Sequence, residues 1–178
     1  MKLHLIRHLP TEWNQRGILQ GSRDNPILPP SAAMRSRSEA NQVLILDLAF
    51  DLILTSELQR TQQSAAAYDI HNFRVEPLLN ELNFGPYEGR PKAEMIEELG
   101  AAWRERPRSI TLGEAIVAFE ARLLRFIEQY RSAETVLAFA HGRLMRALCS
   151  IAATGDVGRM NDYQIANNEL LVLTFEAG

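Results

Sequence analysis

The sequence is poor in three features that would point to particular classes of protein. It has a single cysteine, Cys149, so neither an internal disulfide nor a cluster of thiolate metal ligands can form, which agrees with a reducing compartment. Its apolar stretches, such as 43–46 and 170–173, are far shorter than the ~20 residues of a membrane span. Positive charge is scattered, and the formal net charge is −3, which argues against a general nucleic-acid-binding surface.

Other absences bear on organisation and location. The first eight residues place Arg7 and His8 where a secretory signal needs apolar residues, so we expect no targeting segment and a cytoplasmic protein. The chain also has no internal repeat and no low-complexity segment. A chain of 178 residues can bury on the order of 70% of its unfolded surface. We therefore expect one domain over residues 1–178.

Segments with the pattern of strands alternate along the chain with segments of helical periodicity. The predicted strands cover residues 2–7, 51–55, 73–75, 135–140 and 169–175. The predicted helices cover residues 31–46, a stretch from 56 onward, 94–99, 116–130 and 143–153. This alternation predicts an α/β fold with three α/β/α layers around a mostly parallel sheet. Residues 78–90 lack clear periodicity, and we expect a small cap or functional loop at about 78–110.

Two predicted helices have a capping box at their start. Ser56 with Gln59, and Thr111 with Glu114, each place a hydroxyl three residues before an amide or a carboxylate. The first pair predicts the start of the helix that follows the second strand. The second pair predicts the start of the helix at 116–130.

Several polar side chains follow strands that are predicted to be parallel. The first strand ends in Arg7-His8, Arg60 lies in the first helical turn after the second strand, and His141-Gly142 follows the strand at 135–140. Ligands of α/β sheets bind at the carboxyl ends of the strands, so these groups should converge. Guanidinium groups and helix N-termini bind anions, and a neutral imidazole is a nucleophile near neutral pH. The sequence therefore predicts a phosphate site.

A series of short motifs, in this order, resembles the histidine phosphatase superfamily, also called phosphoglycerate mutase-like. They are Arg7-His8, Thr11, Asn14, Gly21, the 56–60 segment, Leu79-Asn80-Glu81, Phe84-Gly85, Glu88-Gly89 and His141-Gly142. A single motif of this kind is weak, but their order and spacing match over most of the chain.

The resemblance implies a phosphoglycerate mutase-like fold and a mechanism that needs neither a metal nor a cofactor. His8 would attack the phosphorus and become a phosphohistidine, and Glu81 would act as general acid and then as general base. The implied catalytic set is His8, Glu81, His141, Arg7 and Arg60, with the two arginines and His141 around the phosphoryl oxygens. The implied substrate-binding set is Arg7, Asn14, Gln20, Gly21, Arg60 and Gly142.

Each of these residues also has an ordinary structural interpretation. His8 alone could be a hydrogen-bonded structural histidine, Arg60 an exposed residue of a helix, and Glu81 a solvated loop carboxylate. The neighbouring motifs favour the functional interpretation, least strongly for Glu81.

The sequence departs from the family pattern at two places. Leu9-Pro10 replaces the usual glycine and the acidic or amide residue after the nucleophile, which predicts a loop of altered shape. Arg143 stands where mutases carry asparagine, and it could either bind a second anionic group or lie in solvent.

Within the resembling family, the sequence favours a phosphatase over a phosphoglycerate mutase. Only 52 positions separate Gly89 from His141, which leaves no room for the basic insert of the mutases, and Leu82 replaces the arginine that they carry beside the acid. Because Glu81 is present, we expect a small phosphomonoester, such as a sugar phosphate, a phosphoglycerate or an α-ribazole phosphate, rather than protein phosphohistidine.

Two interpretations from other classes remain. The scaffold could serve as a non-catalytic module that binds a phosphorylated ligand, for which Leu9-Pro10 is the best support. A metallohydrolase is the weaker rival, since the four histidines form no H-E-x-x-H or H-x-H arrangement. The sequence leaves the oligomeric state open between a monomer and a homodimer.

Overall fold

A computed structural model describes residues 1–176 of the chain. Its β-strands are β1 (Lys2–Arg7), β2 (Leu52–Thr55), β3 (Arg74–Val75), β4 (Thr135–Ala140) and β5 (Leu170–Thr174). Its α-helices are α1 (Glu12–Gln15), α2 (Ala32–Ile45), α3 (Gln59–Ala67), α4 (Lys92–Glu105), α5 (Ile116–Tyr130) and α6 (Gly142–Thr154). Among these residues, no helix is both long and apolar enough to cross a bilayer.

The strands form one mixed sheet in the order β3-β2-β4-β1-β5. Strands β3, β2, β4 and β1 run parallel to one another, and the edge strand β5 runs antiparallel to β1. The predicted mostly parallel α/β architecture is therefore confirmed.

The residues of the central strands alternate between two faces of the sheet, as the period of a β-strand requires. On one face Leu3, Leu5 and Ala138 join the larger hydrophobic cluster, which includes buried side chains of α5 and α6. On the other face Ile6 and Phe139 pack in a separate cluster that includes residues of α2 and α3. Helices thus cover both faces, which gives three layers. The carboxyl ends of the strands are left open for a site.

Both predicted capping boxes are wrong. Helix α3 begins after Leu58 without a side-chain cap, because the hydroxyl of Ser56 bonds instead with Thr61 and His141. Helix α5 begins after Ala115, and the carboxylate of Glu114 pairs with Arg122.

Two further helices differ from the prediction. Helix α4 is longer than the predicted 94–99 segment and has a break at Gly100, where φ is +55°. The short helix α1 was not predicted. Thr11 caps it, and Asn14 completes a capping box that holds the loop after β1.

The region predicted to be a small cap holds α4 and three 3₁₀ turns, at Pro77–Leu79, Gly85–Tyr87 and Pro107–Ser109. Its backbone bonds with the 17–19 loop: Leu19 N–H donates to Arg90, and Lys92 N–H donates to Gly17. Arg122 of α5 donates to the carbonyls of Leu78 and Asn80, both at 2.8 Å. These contacts place the region beside the loop that follows β1. One domain over residues 1–178 stays a prediction, since residues 177–178 lie outside the described part.

Candidate active site

The parallel register brings the three predicted strand ends together. Arg7 lies opposite Ala140, and Thr55 lies opposite Phe139, so the residues that follow these strands share one edge of the sheet. The rings of His8 and His141 have their centroids 5.4 Å apart there. A cavity of about 340 Å³ opens at this edge, within the usual range of small-molecule sites.

The cavity is lined by eight of the nine residues that the sequence analysis assigns to the site. They are Arg7, His8, Asn14, Gln20, Gly21, Arg60, Glu81 and Gly142. The ninth, His141, is fully buried next to the cavity rather than on its wall.

The hydrogen bond of His8 determines which of its ring nitrogens carries the proton. Nδ1 lies 2.7 Å from the carbonyl oxygen of Leu9, which can only accept, so Nδ1 must donate. In the neutral ring Nε2 is then unprotonated, and it has no hydrogen-bond partner within residues 1–176. Burial, together with the charges of Arg60 and Arg7, holds the pKa of His8 well below its ordinary value. The side chain is therefore set up as a neutral imidazole with a free lone pair.

The Leu9-Pro10 segment fits the loop without backbone strain. Leu9 is fully buried, and its N–H donates to Ser64 Oγ at 2.8 Å. Among described residues other than glycine, only Asp69 and Asn168 have a positive φ, so the conformation at Leu9 needs no glycine. The segment orients His8 through the Leu9 carbonyl.

His141 and Arg60 belong to a buried hydrogen-bond network in which the direction of each bond is defined. Arg60 Nε donates to His141 Nδ1 at 3.2 Å, so the other ring nitrogen of His141 carries the proton and donates to Ser56 Oγ at 2.8 Å. Burial and the charge of Arg60 also lower the pKa of His141. The remaining guanidinium nitrogens of Arg60 donate to the carbonyls of Arg23 and Gly21. Arg60 is thus a fixed positive charge on the cavity wall.

Arg7 keeps donors free for a ligand. Its Nη1 donates to the carbonyl of Ile165 at 2.6 Å, while its Nε is buried without a partner. A Cβ on Gly142 would lie only 3.0 Å from Arg7 Cζ, so glycine allows the guanidinium to approach the start of α6. An unpartnered buried donor is costly unless a ligand satisfies it, which favours an anion at this position.

The carboxylate of Glu81 caps helix α6. Its Oε2 accepts from the N–H of Arg143 at 2.9 Å, and its Oε1 accepts from the N–H groups of Leu144 and Leu82, each at 3.0 Å. The two carboxyl oxygens thus satisfy N–H groups that have no acceptor within the first turn of the helix. These bonds hold Glu81 on the cavity wall and leave Oε2 with the larger share of unused lone pairs.

The loop after β1 supplies the remaining wall. Asn14 Oδ1 accepts from the N–H of Thr11, which leaves the amide NH₂ as its free donor toward a ligand. Gly21 has a φ of +53°, and a Cβ there would lie 2.1 Å from Glu88 Oε1, so a larger side chain would strain the backbone and displace Glu88. Gln20 is buried and accepts from the hydroxyl of Thr11 at 2.9 Å.

The cavity is also lined by residues that the sequence motifs do not include. The polar ones are Lys92, Arg143, Arg146 and Asn167. Of these, only Arg143 was singled out from the sequence, because it follows His141-Gly142. Asn167, which donates to the carbonyl of His8 at 2.9 Å, belongs to no recognisable motif.

Comparison with known proteins now decides the family. The family model described as "Histidine phosphatase superfamily (branch 1)" matches residues 3–178. The chain belongs to this superfamily.

Relatives within the histidine phosphatase superfamily include both phosphatases and mutases. The adenosylcobalamin/alpha-ribazole phosphatase of Escherichia coli (strain K12) is 30% identical over 83% of this chain and 77% of its own length. A 2,3-bisphosphoglycerate-dependent phosphoglycerate mutase of Bartonella henselae is 31% identical over 98% and 92%. The crystal structure of the alpha-ribazole phosphatase from Shigella flexneri superposes with a TM-score of 0.76, at 26% identity over 97% of this chain and 89% of the other.

The three buried histidines of this superfamily member, His4, His8 and His141, predict a dependence of stability on pH, because the pKa of each is lowered. Because folding lowers their pKa, the unfolded chain binds more protons than the folded chain at pH values between the lowered pKa and about 6.5. Stability should therefore fall as the pH drops below about 6.5, by up to ~1.4 kcal/mol per pH unit for each histidine.

Urea unfolding of the wild type and of His8→Asn between pH 5 and 7.5 checks this prediction. The variant, which lacks one of the three groups, should show the shallower acid slope. Equal slopes would show that His8 takes up its proton equally well in the folded and unfolded chain.

Proposed function

We propose that the protein is a metal-independent phosphatase that hydrolyses a small phosphomonoester through a phosphohistidine on His8. One observation carries the proposal: the unprotonated Nε2 of His8 and the unpartnered Nε–H of Arg7 both belong to residues that line the cavity. A nucleophile beside a free cationic donor is what an attack on a phosphoryl group requires.

In the first step the lone pair on His8 Nε2 attacks the phosphorus, and the ester P–O bond breaks. The leaving alkoxide takes a proton from Glu81. Arg7 donates to the phosphoryl oxygens, and the N–H of Gly142 at the start of α6 adds a further donor.

In the second step water attacks the phosphorus of the phosphohistidine, and the P–N bond breaks. Its electron pair returns to Nε2, while Glu81 takes the proton from the water. The products are inorganic phosphate and the starting state of the enzyme.

Arg60 and His141 have different parts in this proposal. Arg60 adds positive charge to the cavity wall, and its three nitrogens are held by protein acceptors. His141 acts through Arg60, because its Nδ1 holds the guanidinium and its Nε2 is bound to Ser56. His141 is therefore a positioning residue.

Release of inorganic phosphate from p-nitrophenyl phosphate and from a panel of phosphomonoesters, with and without excess EDTA, tests this function. The panel includes α-ribazole phosphate and phosphoserine, which appear in the names of relatives of this chain. We expect turnover that EDTA leaves unchanged. Within residues 1–176 no three His, Cys, Asp or Glu side chains cluster in a way that could hold a metal ion. Loss of turnover in EDTA would contradict the proposal.

A phosphoglycerate mutase is the second candidate, supported by the 31% identity to such a mutase over nearly the whole chain. Against it, Leu82 is fully buried and supplies nothing to the cavity. Incubation with 3-phosphoglycerate and a trace of 2,3-bisphosphoglycerate, followed by phosphorus NMR, separates the two functions. A phosphatase releases inorganic phosphate, whereas a mutase forms 2-phosphoglycerate.

A further inference from the structure

We propose that the substrate carries a second anionic group besides its phosphoryl group, and that Arg143 binds it together with Lys92 and Arg146. The inference rests on the proposed function, since it names the class of substrate for the same cavity. The three cations are called the cationic subsite below.

The cationic subsite is assembled from two elements. Lys92 is the first residue of α4, while Arg143 and Arg146 lie in the first turns of α6. All three side chains line the cavity that holds His8. Convergence of three like charges costs free energy unless an anion is bound among them.

The side chain of Arg143 is buried and held in place by two neighbouring residues. It is 6% exposed, and its guanidinium lies over the ring of Trp103, 4.8 Å from the centroid. One of its nitrogens donates to the side-chain oxygen of Asn161, and Asn161 in turn donates to the carbonyl of Trp103. No other nitrogen of the guanidinium has a partner within residues 1–176. The contacts with Trp103 and Asn161 fix the guanidinium on the cavity wall and leave some of its N–H donors free. Such a guanidinium is suited to bind a carboxylate or a phosphate.

The charges of the cavity exceed what one phosphoryl group neutralises. Five lining side chains are cationic (Arg7, Arg60, Lys92, Arg143 and Arg146), and Glu81 is the one acidic side chain among the lining residues. With Glu81 ionised the net charge of the wall is thus +4, and a phosphoryl dianion leaves about +2. The side chains of Lys92 and Arg146 form no hydrogen bond or salt bridge within the described chain. The remaining positive charge is therefore available to a second anion.

The pKa of Lys92 agrees with a cationic subsite whose positive charge is not neutralised by the protein. Burial and the charges of Arg143, Arg146 and Arg7 lower it to about 8. An anion bound among these groups would raise it again, so binding and protonation of Lys92 support each other. Preference for a second anion should consequently weaken as the pH rises from 7 to 9.

Calorimetric titration of the His8→Ala variant tests the proposal without turnover. The probes are 3-phosphoglycerate and 1,3-propanediol bisphosphate, which carry a carboxylate or a second phosphate, and glycerol 3-phosphate, which carries neither. We expect at least one doubly anionic probe to bind about tenfold more tightly than glycerol 3-phosphate, as one charge-assisted contact provides. Adding Arg143→Gln should remove most of that preference. Arg104→Gln, an exposed arginine on α4 outside the cavity, should leave it unchanged.

Equal affinity for all three probes, or no binding of any, would overturn the subsite. So would an equal loss of affinity for singly and doubly anionic probes in Arg143→Gln. Because the readout is binding, a preference for doubly anionic probes in a protein that hydrolyses nothing would uphold the subsite while the proposed phosphatase function failed.

Discussion

Replacement of His8 by alanine is expected to lower kcat for phosphomonoester hydrolysis by about 10⁴-fold or more, as removal of a covalent nucleophile does in other enzymes. The expectation follows from the neutral tautomer of the ring. Within residues 1–176 no other unprotonated imidazole nitrogen is free to act in the cavity, because His141 has both nitrogens engaged with Arg60 and Ser56. Alanine also removes the bond to the Leu9 carbonyl, but it leaves the arginines in place. Phosphate binding should therefore survive the loss of turnover.

Steady-state release of phosphate, together with calorimetric binding of vanadate or inorganic phosphate, measures both effects. The matched control is His71→Ala, which removes an exposed histidine outside the cavity. It should keep the wild-type rate. A His8→Ala protein with more than about a tenth of the wild-type kcat would mean that the reaction does not pass through this side chain.

Replacement of Glu81 by glutamine should separate substrates by their leaving group. Protonation of a leaving alkoxide by a positioned acid is worth about 10²–10⁴-fold, so turnover of an alkyl phosphate should fall by that amount. The p-nitrophenolate group leaves without a proton, so its release from p-nitrophenyl phosphate in the first turnover should remain fast. The later hydrolysis of the phosphoenzyme needs the base and should slow.

Rapid mixing of Glu81→Gln with p-nitrophenyl phosphate should consequently give a burst of about one p-nitrophenolate per active site, followed by slow turnover. Glu97→Gln, an exposed carboxylate of α4 outside the cavity, is the control and should behave as wild type. Thermal unfolding of both variants shows whether the loss of the α6 cap affects the fold. Equal losses for the alkyl and aryl substrates, with no burst, would remove Glu81 from proton transfer.

The architecture could be predicted from the sequence because strand and helix periodicities are local signals. The buried strand Thr135–Ala140 and the amphipathic helix Ile116–Tyr130 agree with their predicted bounds. Helix starts were less predictable. The local sequence predicts that the hydroxyl of Ser56 caps a helix, but it bonds with His141, a residue 85 positions away that no local pattern reveals.

Contacts between residues far apart in the chain leave no local pattern, which explains why some residues of the site could not be predicted from the sequence. Residues at strand ends, such as Arg7 and His8, follow from the rule that parallel strands end at one edge. Lys92 and Asn167 reach the cavity only through the packing of α4 and of the loop before β5, and their local sequence does not distinguish them from surface residues. The position of Arg143 directly after His141-Gly142 makes it a candidate from the sequence, but neither its burial nor its stacking on Trp103 is predictable from local sequence.

Transfer of a phosphoryl group to His8 can be detected on the protein itself. Wild-type protein is mixed with substrate, quenched in alkali during turnover and digested, and the peptide that contains His8 is analysed by mass spectrometry. We expect a mass increase of one phosphoryl group located on His8, a larger fraction of that species in Glu81→Gln, and none in His8→Ala. Turnover without any phosphorylated His8 peptide, or with the group on another residue, would show that the reaction does not pass through a phosphohistidine at this position.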